Sequence, residues 1–293
     1  MQDLSSTRFT APLSQNFQPA RTHEIHLLVL DIDGTIAGEH NAIRNPVKQA
    51  VQAAQAKGIQ VAIATGRMYC SALRFHQDLG STLPLITYQG ALVKDPQTGI
   101  IHRHCTVPRQ LTEELLDYFE QPELRENLSV HFYINDQLYV RELTSETVVY
   151  AERSGIQPVA VGDLRTTLGT EPTKILALND DPTVIDTLLN QLRSRYTSTE
   201  LYLTTSVSTF IEATNPLVNK GTAVRYLAEE YLGLQAENVM VIGDNFNDLE
   251  MLEYAGIGVA MGGAPQPVQA IANWVAPSVE EDGVATAIEA FLL

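Results

Sequence analysis

The run His26-Leu27-Leu28-Val29-Leu30 stops at Asp31-Ile32-Asp33-Gly34-Thr35, and this junction constrains the fold more than any other segment. An unbroken apolar run of strand length reads as a strand buried on both faces, as in a parallel sheet covered by helices. Two carboxylates at the end of such a strand are costly to desolvate. In an open α/β sheet the crevice beyond the carboxyl ends of the strands is where ligands bind, so acids there point to chemistry. The plainer reading is a strand closing in an Asx turn, for which Asp and Gly are ordinary residues.

From His26 to Val93 strand and helix patterns alternate. Asn45 suits an N-cap, Pro46 the first helical position and Gly58 the C-terminal stop, while Val47, Ala50, Val51 and Ala54 share one helical face. A second strand is predicted over 59–64, ending at Thr65-Gly66-Arg67, then a helix from about Met68 to Leu79 and a third strand over 85–93. Asp95-Pro96-Gln97-Thr98-Gly99 is turn chemistry, and beyond it the alternation lapses. Hairpin and isolated-helix patterns fill the stretch to about Thr214, among them a hairpin at Asn135-Asp136. Alternation resumes with a helix over 219–231, a strand ending at Gly243-Asp244, and further helix and strand patterns to the end. The expected architecture is α/β: a Rossmann-like parallel-sheet core, 23–92 and 214–293, with an inserted α+β cap domain, 93–213, set as a lid on the carboxyl-end rim.

Charge narrows the partners. Thirty-five acidic against nineteen basic residues give a formal charge of −16, which argues against nucleic acid, since a phosphate backbone needs a basic face. A small phosphorylated molecule needs only local cations and a metal. Two cysteines, Cys70 and Cys105, suit a reducing cytoplasm better than a disulfide framework. Residues 1–22, rich in Ser, Thr, Gln and Pro without an apolar h-region, read as a flexible N-terminal tail. No apolar run reaches membrane-spanning length, so no membrane partner is expected. The oligomeric state is not readable.

Four loops fall on one side of the predicted sheet. The first carries Asp31 and Asp33. The second carries Thr65, placed at a helix start where hydroxyl and amide groups suit a phosphate. The third opens a helix with Lys220, a cation set against the helix dipole and therefore in want of an anionic partner. The fourth is Gly243-Asp244-Asn245-Phe246-Asn247-Asp248. This oxygen-rich set suits Mg²⁺, and phosphoryl transfer needs charge neutralisation and alignment above all. His102-Arg103-His104 places two imidazoles on one strand face, but no acid or Cys lies near in sequence, and a surface hairpin is the better reading.

These motifs, in this order, resemble those of the haloacid dehalogenase-like superfamily. Thr65-Gly66-Arg67, Asn219-Lys220-Gly221-Thr222-Ala223-Val224, Ala260-Met261-Gly262 and Glu281-Asp282-Gly283-Val284 are similar to its Cof-type phosphatase branch, with a type IIB-like cap. The likeness spans 26–293. It implies Asp31 as a nucleophile forming an aspartyl-phosphate and Asp33 as the acid–base group. It implies Asp31, Asp244 and the Asp33 backbone carbonyl as Mg²⁺ ligands, with Asp248 in the metal shell or orienting the lysine. Thr65, Gly66, Lys220 and Asn247 would hold the phosphoryl oxygens, and Arg67 would reach the cap or substrate. Two positions depart from the branch: Gln89 and Gly263 stand where Asn is usual. The implied activity is Mg²⁺-dependent hydrolysis of a small phosphorylated metabolite, foremost a sugar phosphate. The alternatives are a sugar phosphomutase or phosphotransferase, or a non-catalytic phosphometabolite-binding protein.

Overall fold

The computed structural model describes residues 24–293, so the expected tail, 1–22, lies outside them. The chain enters through strand β1 (Leu27–Leu30), buried at every residue. Helix α1 (Asn45–Ala56), strand β2 (Gln60–Ile63), helix α2 (Tyr69–Asp78) and strand β3 (Leu85–Thr87) follow. Helix α1 buries Val47, Ala50, Val51 and Ala54, the stripe its sequence sets out. Its cap is Arg44 rather than Asn45, which becomes the first helical residue just ahead of Pro46.

The predicted single strand over 85–93 is broken in two. After β3 the chain turns back through Tyr88–Gly90 into β4 (Leu92–Lys94) and β5 (Ile101–His104), an antiparallel set of three. Tyr88 and Gln89 both have positive φ, 52° and 60°, which an apolar-run reading gives no reason to expect. The turn is held by neighbours distant in sequence: the Tyr88 and Gln89 amides donate to the carbonyls of Arg67 and Thr65. Gly90 sits so near the Asn219 carbonyl that no Cβ fits. A bridge between Ala64 and Ile86 joins this set to β2. The expected core–cap division at 92/93 therefore runs through β4.

Helices α3 (Arg109–Phe119) and α4 (Pro122–Arg125) open the insertion, followed by β6 (Ser129–Ile134), β7 (Gln137–Val140), α5 (Ser145–Ser154), β8 (Val159–Ala160), β9 (Lys174–Leu178), α6 (Pro182–Arg195), β10 (Tyr202–Thr204) and β11 (Phe210–Thr214). Its strands form one sheet in the order β10-β11-β9-β6-β7-β8. Leu115, Leu116 and Phe119 of α3 and Ile185, Leu188 and Leu192 of α6 share an apolar cluster with Ile175, Ala177 and Ile211, so one sheet face is closed by helices. Strand alternation turns Lys174, Leu176, Leu178, Phe210 and Glu212 to the other face.

The chain then returns through α7 (Lys220–Arg225), β12 (Val239–Gly243), α8 (Leu249–Tyr254), β13 (Ile257–Ala260), α9 (Gln266–Ile271), β14 (Trp274–Val275) and α10 (Gly283–Phe291). The main sheet is wholly parallel, in the order β14-β13-β12-β1-β2. Because Leu30 is level with both Ile63 and Ile242, the loops beyond β1, β2 and β12 leave from one edge. That register brings residues 31, 65 and 244 together. Trp274 packs edge-on against Phe291, as core packing requires. No helix among the described residues is long and apolar enough to cross a membrane.

Candidate active site

Lys220 is the centre of the site. It is the first residue of α7, whose N-terminus is closed by a capping box between Asn219 and Thr222. Its side chain is fully buried, and its ammonium donates to Asp31 Oδ1 at 2.5 Å and to Asp248 Oδ1 at 2.6 Å. The other oxygen of Asp248 accepts from the backbone amides of Asp244 and Asn245, so this carboxylate is fully engaged in shaping its own loop. A buried cation in the first helical turn is tolerable because two carboxylates meet it there.

Asp31, Asp244 and Asp248 each present an oxygen within 4.8 Å of the others. One ammonium does not balance three such carboxylates. Burial pushes the Asp31 carboxyl up to about 7 despite the opposing pull of Lys220, and Asp248 adds to the rise. Burial raises Asp244 well above the usual carboxylate range, with Asp31 and Asp248 reinforcing it. Burial works against the Lys220 ammonium, yet Asp248 and Asp31 together hold its pKa above the ordinary lysine value. Gly34, with φ of +80°, packs directly on the Asp244 carboxylate, where any Cβ would collide. A hard divalent cation fits this donor set: oxygen ligands, surplus negative charge and a close glycine loop.

Asp33 stands apart. Its carboxylate is not one of the three clustered acids and is gripped by Arg67, with Nε to Oδ2 at 2.7 Å and Nη2 to Oδ1 at 2.6 Å. Arg153, at the end of cap helix α5, approaches the same carboxylate at 3.7 Å. Burial favours the neutral acid, but the Arg67 hydrogen bonds and charge outweigh it and lower the Asp33 pKa. Thr65 is buried and its hydroxyl accepts from the Arg67 amide. Helix α2 begins only at Tyr69, so Thr65 lies in the loop just ahead of a bend at Gly66 and Arg67 rather than at the helix's first turn.

Four residues that the sequence reading did not single out for function complete the site: Arg153, Lys174, Glu212 and Phe210. Lys174 and Glu212, both buried, form an ion pair of 2.6 Å on the core-facing side of the cap sheet. Lys174 also donates to the Gly66 carbonyl at 2.7 Å. Glu212 accepts from Gln89, and the Gln89 carbonyl accepts from the Asn247 amide at 3.1 Å. Gln89 thus bridges cap and core, and the Asn247 amide is committed to it. A charged side chain inside an otherwise apolar strand, as in Lys174-Ile175-Leu176-Ala177-Leu178, was the signal to follow. The two walls enclose a cavity of roughly 380 Å³ that contains Asp31, Asp33, Thr65, Gly66, Asp244 and Asn247 on its core side. His102 and His104 lie elsewhere: His102 stacks on Tyr231, and His104 hydrogen-bonds Thr173.

A parallel-sheet core, an inserted cap and an acid–lysine cluster at the strand ends define a hydrolase that works beneath a lid. The chain belongs to the haloacid dehalogenase-like hydrolase family, whose profile matches residues 28–288, and within it to the phosphatases, which hydrolyse phosphoric monoesters. It is 31% identical over 268 residues, 89% of this chain and 95% of the other, to the 5-amino-6-(5-phospho-D-ribitylamino)uracil phosphatase YitU of Bacillus subtilis. A haloacid dehalogenase-like hydrolase from Bacteroides thetaiotaomicron superposes with a TM-score of 0.78 at 25% identity, covering 91% of this chain and 99% of that one. The subclass IIB sugar phosphatase BT4131 shares the fold, with a TM-score of 0.76 at 22% identity over 90% and 98% of the two chains.

Proposed function

We propose that this protein is a Mg²⁺-dependent phosphatase that hydrolyses the phosphate monoester of a small sugar- or polyol-type metabolite through an aspartyl-phosphate on Asp31. The observation that carries the reading is the Lys220 ammonium held between Asp31 and Asp248, with Asp244 at the same sheet edge. Asp31 and Asp244, with the Asp33 backbone carbonyl, would hold the ion. When bound, Mg²⁺ supplies charge neutralisation for the phosphoryl oxygens.

The protein groups perform the rest. An Asp31 oxygen attacks phosphorus, and the bond from phosphorus to the ester oxygen breaks. Asp33, which must leave the Arg67 grip and take up a proton to serve as the acid, gives that proton to the departing alkoxide, which leaves as an alcohol. The Asp33 carboxylate then takes a proton from water as the water oxygen attacks the same phosphorus, releasing inorganic phosphate and restoring both acids. Lys220 orients Asp31 and offsets charge on the phosphoryl group. Thr65, Gly66 and Asn247 are the remaining phosphoryl contacts, Asn247 after giving up its bond to Gln89. Arg67 steers the Asp33 carboxylate, and the cap excludes bulk water.

Release of inorganic phosphate from a set of sugar and polyol phosphates, with and without EDTA, tests this reading. Metal-dependent turnover that disappears in Asp31→Asn supports it. Full turnover in that variant, or turnover indifferent to EDTA, overturns it.

A further inference from the structure

The cap face above the cavity is graded. Strands β9 and β11 pair so that Glu212 lies opposite Leu176 and Phe210 opposite Leu178. The end nearest the catalytic loops carries the Lys174–Glu212 pair, bonded to Gly66 and Gln89. The far end carries Leu176, Leu178 and Phe210, with Tyr150 set edge-on to Phe210 at 5.8 Å between ring centres. Val149 and Val207, 65% and 41% exposed, also line the cavity.

We infer that the substrate is a phosphate ester of a polyol whose opposite end bears an uncharged planar heteroaromatic ring, seated against Phe210 and Tyr150. This deepens, and rests on, the phosphatase reading above. A hydroxylated linker meets partners near Glu212 and Ser206, which border the cavity beside the catalytic loops. The side chains of Leu176, Leu178 and Phe210 offer neither donor nor acceptor, so pyranose hydroxyls set against them would lose their bonds to water. A flat ring gains there, because its faces bury apolar area and meet aromatic edges.

Charge excludes another class. The cations bordering the cavity are Arg67, Arg153 and Lys174. Arg67 and Arg153 face Asp33, and Lys174 is taken by Glu212 and the Gly66 carbonyl. The cap instead adds the carboxylates Glu146 and Asp180 to the cavity lining away from the core loops. A second phosphate there would meet like charge, whereas ring N–H groups would find acceptors.

The test compares two esters that share the phosphorylated polyol and differ only in the ring: ribitol 5-phosphate and 5-amino-6-(5-phospho-D-ribitylamino)uracil. The ring-bearing ester is expected to show kcat/KM at least about tenfold higher, and Phe210→Ala to reduce that ratio about tenfold. Phe210→Leu, which keeps the volume and removes the aromatic ring, guards against misfolding and should reduce the ratio by a smaller factor. Equal kcat/KM for the two esters, or a ratio untouched in both variants, overturns the inference. Should neither ester release phosphate, the phosphatase reading falls, and calorimetry with the Asp31→Asn protein still decides the ring site. Tighter binding of the ring-bearing ester by about tenfold supports the site, and equal or absent binding overturns it.

Discussion

The two walls of the cavity are built on opposite principles. The core wall gathers charge: Lys220 and Asp248 are wholly buried, and Asp31 nearly so, at the ends of parallel strands whose register leaves little freedom. The cap wall places one ion pair beside the catalytic loops and gives the rest of its surface to Leu176, Leu178, Phe210 and Tyr150. Polar stitches join them, Lys174 to Gly66 and Glu212 through Gln89 to Asn247. On the mechanism proposed above, the contrast is a division of labour: the groups assigned to phosphorus and to proton transfer sit on the core wall, and the groups assigned to choosing the leaving alcohol sit on the insertion. Substitutions on the core wall should then depress every substrate alike, while those on the cap wall should reorder substrates.

The largest effect is expected from Asp31→Asn. Loss of the proposed nucleophile should lower kcat by about 10⁴-fold or more for every ester, with an unchanged circular dichroism spectrum. Loss confined to some esters would break the comparison. Lys220→Met comes next and acts on stability as well. It leaves Asp31 and Asp248 buried without their cation, at a cost of about 3–5 kcal/mol measurable by urea unfolding. Adding Asp248→Asn to that variant removes one of the stranded charges and should recover part of the loss.

Metal and pH give the third prediction. The folded Asp31 carboxyl titrates at about 7 against an ordinary 3.8, chiefly because it is buried. Between those two values the metal-free folded protein keeps a proton that the unfolded chain has released. Metal-free stability should therefore fall as pH rises through that window, while Mg²⁺, which needs the carboxylates bare, should raise the melting temperature more at pH 8 than at pH 6. A Mg²⁺ shift that is equal at both pH values would separate the ion from Asp31 and leave the core wall without its organising charge.

The core wall was legible in the sequence and the cap wall was not, for a physical reason. Asp31, Thr65, Lys220 and Asp244 each sit within a residue or two of an element boundary, so local patterning locates them and sheet register brings them together. Gln89 escaped because its turn is held by the Thr65 and Arg67 carbonyls, which makes an apparent strand fold back on itself. Phe210 and Leu178 meet across a pairing between segments about thirty residues apart, and nothing local separates a cavity-lining Leu from a core one. The Arg67 grip on Asp33 is similar: each residue was visible, but the geometry that ties them depends on the fold.

The smallest effect should come from Asp136, at the tip of the β6–β7 hairpin, which docks the cap on the core outside both walls. Asn135 and Asp136 have φ of 51° and 60°, the geometry of a tight hairpin turn. That turn aims the Asp136 carboxylate at the Tyr88 hydroxyl, 2.6 Å away, and at the Cys70 amide, 3.0 Å away. Burial and Asp136 together keep the Tyr88 hydroxyl protonated far above neutral pH, so it is always a donor. Asp136→Ala strands that donor in the closed form only, costing closure about 1 kcal/mol. KM should rise several-fold with kcat changed less, and Asp136→Asn, which keeps an acceptor, should restore most of it. Because the contact touches neither phosphorus nor the leaving alcohol, the factor should be the same for ribitol 5-phosphate and for its ring-bearing counterpart. A factor that differs between them would mean that hairpin docking shapes the cap wall itself, and that closure and selection are one event.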